Sequence, residues 1–102
     1  MNGTAVKISE QTILQEIKQA LRYSGFYVIR HVGSAFSHKG LSDLEAIKEG
    51  RTIYIEVKQN NGKQSPHQVL FQKEIEEQGG TYILARCLED VEYLLDGRLN
   101  LQ

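Results

Sequence analysis

One stretch, Gly40 to Lys58, constrains the fold of this chain more than any other: Gly-Leu-Ser-Asp-Leu-Glu-Ala-Ile-Lys-Glu-Gly-Arg-Thr-Ile-Tyr-Ile-Glu-Val-Lys. Two strand-like runs, Leu44 to Ile47 and Thr52 to Lys58, flank a turn signal, Lys48-Glu49-Gly50-Arg51. With Ile47 opposite Thr52 across a four-residue loop, antiparallel pairing sets Asp43 directly opposite Glu56. Directly opposed residues share a face of the sheet, with Cβ atoms roughly 4.5–5.5 Å apart. Two carboxylates at that spacing repel, and a divalent cation between them reverses the sign of the interaction, because hard cations take oxygen ligands. Lys58, two residues beyond Glu56, points to the same face, while Ile53, Ile55 and Val57 form an apolar face turned the other way.

The rest of the chain reads as elements packed around this hairpin. Residues 1–8 are expected to be a loose lead-in. Ser9 is an N-cap for a helix to about Tyr23, with Ile13, Leu14, Ile17, Ala20 and Leu21 as its apolar stripe. At about 100° per residue, Glu10 falls within roughly 20° of the stripe's centre and Glu16 about 100° away. Glu10 is therefore either a carboxylate facing a partner or an exposed first-turn residue that favours the helix dipole. Phe26 to Val32 is the first strand, followed by a small, polar loop, Gly33 to Gly40. In that loop His38 and Lys39 are either a contact to a phosphodiester backbone or solvated charge. Ser65-Pro66-His67-Gln68 starts the second helix, with Ser65 at N-cap, Pro66 at N1 and Gln68 closing a capping box. A phosphate bound there would be held by the helix N-terminus and Lys63. Val69, Leu70, Phe71 and Ile75 are its expected buried positions, and Gly79-Gly80 its end. Thr81 to Ala85 is a last strand, parallel to the Glu56 strand across the helical crossover. Leu88 to Asp96 is a short closing helix with Val91, Leu94 and Leu95 inward and Gly97 as terminator; Cys87 is a small residue at the junction.

The order is α-β-β-β-α-β-α, an α/β domain with helices flanking a mixed sheet. Asp43 at the start of one strand and Glu56-x-Lys58 on the next resemble the PD-(D/E)xK nuclease superfamily. The wider context, Lys39-Gly40-Leu41-Ser42-Asp43-Leu44, Ile55-Glu56-Val57-Lys58 and Gly62-Lys63-Gln64-Ser65-Pro66-His67-Gln68, resembles its VRR-NUC branch, over Glu10 to about Arg86. Ser42 stands where the superfamily name has proline, at a position that supplies no metal ligand. The resemblance implies a restriction-endonuclease-like core. It implies a Mg²⁺ or Mn²⁺ site of Asp43, Glu56 and the Val57 carbonyl, completed by Glu10. Lys58 is then either the base or a charge stabiliser, and Gln68 lies near the scissile bond. DNA contacts are expected from His38, Lys39, Lys63 and Ser65. Taken alone, Glu-x-Lys is also what a surface charge pair on an edge strand looks like.

At 102 residues the chain is expected to be one domain. Its single cysteine cannot form an internal disulfide, and no apolar run is long enough to cross a membrane. With no signal-peptide h-region at the N-terminus, the expected location is the cytoplasm. A net charge of −1 runs against the basic excess usual in nucleic-acid binders, so any DNA-binding patch must be local. The resemblance points to small phage or mobile-element enzymes acting on branched DNA such as four-way junctions, in a bacterial or phage-infected host cell. Cutting two strands symmetrically would need a homodimer. Two other readings use the same residues: a nuclease-fold DNA-binding module without turnover, and an accessory whose partner supplies specificity.

Overall fold

The computed structural model describes residues 8–33 and 37–95. The elements run α1 (Glu10–Tyr23), β1 (Tyr27–Arg30), β2 (Leu44–Lys48), β3 (Arg51–Val57), α2 (Pro66–Glu77), β4 (Thr81–Ala85) and a closing 3-10 helix (Leu88–Leu94). One sheet of order β1-β2-β3-β4 carries them. β1–β2 and β2–β3 are antiparallel, and β3–β4 is parallel across the α2 crossover.

The hairpin has the expected register, with Ile47 opposite Thr52 and Leu44 opposite Ile55. Its loop is tighter than expected, because Lys48 and Arg51 also pair. Only Glu49 and Gly50 remain to turn the chain, with φ of 52° and 79°. Positive φ at both central residues is the type I′ geometry, whose twist matches that of the flanking strands.

One sheet face is the core. Ile53, Ile55 and Val57 of β3, with Val28, Leu44, Ala46 and Ala85, pack against Ile13, Leu14, Ile17 and Leu21 of α1 and Val91 of the 3-10 helix. Ser9 caps α1 by accepting from the Thr12 amide. The helix ends in a Schellman motif, in which the Gly25 amide bonds the Arg22 carbonyl and the Phe26 amide bonds that of Leu21. Because the Phe26 amide closes the helix, β1 begins at Tyr27, one residue later than expected. It also stops earlier, at Arg30, the last residue paired with β2.

α2 covers the other face. Phe71 stacks edge-on with Tyr54, at 5.5 Å between centroids, and with Tyr82, at 6.2 Å. Val69 and Leu70, expected inside, are instead about half exposed. The capping box at Ser65 fixes the helix so that Gln68, Phe71, Gln72 and Ile75 form the inward stripe, and two of those four are polar. The closing segment is a 3-10 helix ending at Leu94. Val91 is buried there as expected, and Leu94 and Leu95 are partly buried against the core. Asp96 and Gly97 lie outside the described residues, as do residues 1–7 of the lead-in. Among the described residues no helix is long and apolar enough to cross a membrane.

Candidate active site

The register that pairs Leu44 with Ile55 places Asp43 and Glu56 opposite each other just beyond the start of β2. Asp43 is held by β3 itself, its Oδ2 accepting from the Val57 amide at 2.8 Å. Glu56 is only 3 % exposed, a burial that needs a counter-charge or a proton. Its Oε2 accepts from Gln68 Nε2 at 2.9 Å and lies 3.6 Å from Lys58 Nζ. Its Oε1 is buried without a hydrogen-bond partner. Native interiors rarely leave such an atom orphaned unless a ligand completes it. Beside a second carboxylate, the group that satisfies it best is a hard cation.

The charge state of Glu56 carries the same signature. Burial first, and then the negative charge of Asp43, push its carboxyl up from the ordinary 4.5 to about 7, against the opposing pull of Lys58. The folded protein therefore binds a proton more tightly than the unfolded chain does. Without metal, the stability that Glu56 contributes is fully present below about pH 4.5 and is lost as pH rises through about 7. Thermal unfolding in a chelator between pH 5 and 8 should show this decline, and Glu56→Gln should flatten it. A wild-type curve that rises over that interval would contradict the assignment.

Gln68 serves two structures with one amide. Its Oε1 accepts from the Ser65 amide at 2.8 Å, completing the capping box, and its Nε2 reaches Glu56. Glu10 is exposed, and its Oε2 accepts from the Gln59 amide at 3.4 Å. It thus stands at the rim, one residue past Lys58. Among the described residues no three His, Cys, Asp or Glu side chains converge as a ready-made metal set. Asp43 and Gln68 also line a cleft of about 530 Å³, shared with His38, Lys39, Ser65 and His67. His38 and Lys39 are exposed, the His38 ring tilted on Phe71 at 5.5 Å. Lys63 is exposed and is not among the cleft's lining residues.

Three residues that the sequence did not single out hold this arrangement together. Gly40, at φ 77°, packs its Cα against the first turn of α2, where an added Cβ would lie 2.1 Å from the His67 carbonyl oxygen. His31 follows β1 and contacts the segment around Asp43. Arg86 follows β4, and its Nη1 donates to the carbonyls of Gln59, Asn60 and Gly62, gathering the loop that leaves Lys58. Removing that guanidinium strands two part-buried carbonyls, those of Gln59 and Gly62, and frees the exposed one of Asn60. Arg86→Met should destabilise the protein by about 2 kcal/mol, read as a lowered denaturation midpoint; an unchanged midpoint would show the loop holds itself. The partners of Gly40 and Arg86 are backbone atoms remote in sequence, which no residue pattern announces.

The described architecture matches a known one. A solved structure described as a VRR_NUC domain superposes with a TM-score of 0.72 at 22% identity, covering 87% of this chain and 96% of the other. Comparison with curated proteins finds no match. The family model described as archaeal Holliday junction resolvase (Hjc) matches residues 10–86, from the first residue of α1 to Arg86. This span contains both carboxylates, Lys58 and Gln68, and the chain belongs to that nuclease family.

Proposed function

We propose that the chain is a Mg²⁺- or Mn²⁺-dependent endonuclease that hydrolyses phosphodiester bonds in branched DNA, four-way junctions above all, as a homodimer. The observation that carries this reading is the buried Oε1 of Glu56, which has no hydrogen-bond partner, on a residue that the strand register sets opposite Asp43. Asp43 and Glu56 would hold the ion, with the Val57 carbonyl as a further oxygen and Glu10 at the rim as an outer carboxylate. Once bound, the ion lowers the pKa of water and neutralises charge building on the phosphate. The chain's own residues do the rest. Val57's amide keeps Asp43 pointed at its partner, and Gln68 Nε2 fixes the rotamer of Glu56. Lys58 Nζ, 3.6 Å from Glu56 Oε2, orients the attacking water and offsets phosphate charge. His38, Lys39 and Ser65 along the cleft, with Lys63 outside it, hold the flanking phosphodiester backbone. Such contacts fix position without reading base identity. That suits a small domain that recognises DNA shape.

Incubating the protein with junction, flap and linear duplex DNAs, with Mg²⁺ or Mn²⁺, tests the proposal. Cleavage confined to the branch point is expected. Binding without product would instead mark a DNA-binding module, and cleavage only with an added protein would mark an accessory.

A further inference from the structure

We propose that His31 is a positioning residue that sets Asp43 for metal binding; this rests on the metal reading above. The pairing of Arg30 with Leu44 puts His31 opposite Asp43 one step beyond the last paired residues of β1 and β2. There the ladder continues through a single main-chain bond, from the His31 amide to the Asp43 carbonyl at 2.8 Å. The imidazole supplies a second. Its Nδ1 lies 3.0 Å from the Ser42 carbonyl oxygen. A carbonyl can only accept, so Nδ1 carries the hydrogen and donates it. One residue therefore holds both carbonyls that flank the Asp43 α-carbon. Nε2 lies 3.2 Å from Glu45 Oε1, a contact that also anchors the ring when the imidazole is protonated, and the side chain is 19 % exposed.

This matters because Ser42 and Asp43 precede β2, which starts at Leu44. From the β3 side Asp43 is held through its carboxylate, by the Val57 amide. From the β1 side, His31 fixes the peptide planes that aim this carboxylate. Two carboxylates that must share one ion need their oxygens placed before the ion arrives. Outer partners of this kind typically change metal affinity by about 10–100-fold.

Mn²⁺ titration by calorimetry on wild type, Asp43→Ala, His31→Ala and His31→Asn tests this, alongside thermal unfolding of each in chelator. Binding by wild type and none by Asp43→Ala establishes the metal reading on its own. His31→Ala should then bind Mn²⁺ about 10–100-fold more weakly. His31→Asn, whose amide nitrogen stands near the place of Nδ1, should recover most of the loss. A merely structural histidine would lower the melting temperature and leave the affinity of the folded protein alone. Should His31→Ala not fold, His31→Gln, which keeps the bulk but not the Ser42 contact, is expected to show the same weakening. Wild-type affinity in His31→Ala or His31→Gln overturns the proposal, as does failure of His31→Asn to recover binding. No difference between wild type and Asp43→Ala overturns the metal reading and this proposal with it.

Discussion

Asp43→Ala and Glu56→Ala are each expected to lower DNA cleavage by about 10³-fold or more while metal-free DNA binding persists. Each change removes one of two carboxylates that face each other across the β2–β3 register, and no third acid in the described residues converges to replace it. The amide variants separate charge from shape. Asp43→Asn can still accept from the Val57 amide, and Glu56→Gln can still accept from Gln68, so both should fold. Glu56→Gln should even melt higher than wild type at pH 8 without metal, since it removes a carboxylate that burial and Asp43 disfavour. Cleavage assays and melting curves on the same preparations would show activity falling as stability rises. If both alanine variants cut at the wild-type rate, the site is elsewhere.

Gly40→Ala should be the most damaging glycine-to-alanine change among the described residues. The new Cβ would meet the carbonyl oxygen of His67 at 2.1 Å and the amide nitrogen of Gln68 at 2.9 Å, both backbone atoms that cannot rotate aside. The positive φ of 77° adds a penalty for any side chain. Together these exceed the roughly 1–3 kcal/mol of ordinary overpacking. The relief available is to push the loop before Asp43 away from α2. That would open the cleft and separate Gln68 from Glu56, so cleavage should fall along with stability. The denaturation midpoint and the cleavage rate of Gly40→Ala check this. A variant with unchanged midpoint would mean that the loop and α2 do not pack as described.

How much of this was legible in the sequence follows from the range of the interactions. The hairpin register was readable because alternation of apolar residues in β3 and a Glu-Gly turn fix it locally. Both helix starts were readable because Ser9 and Ser65 act within three residues of themselves. The inward face of α2 was legible only in part, at Phe71 and Ile75. Val69 and Leu70 look like core by composition, yet the helix turns Gln68 and Gln72 inward, because Glu56 and Gln64 offer them partners. Glu10 lies on α1 as its sequence position requires but, being exposed, meets the Gln59 amide at the rim. Gly40, His31 and Arg86 stayed silent because their partners are peptide groups brought near by the fold.

The most direct measurement is diffraction from crystals grown with Mn²⁺, recorded where manganese scatters anomalously. A single peak between the carboxylates of Asp43 and Glu56, within about 2.0–2.3 Å of an oxygen from each, is the expected result, with Glu56 Oε1 among the ligands. Ordered carboxylates with no anomalous density between them, at Mn²⁺ concentrations that support cleavage, would contradict it.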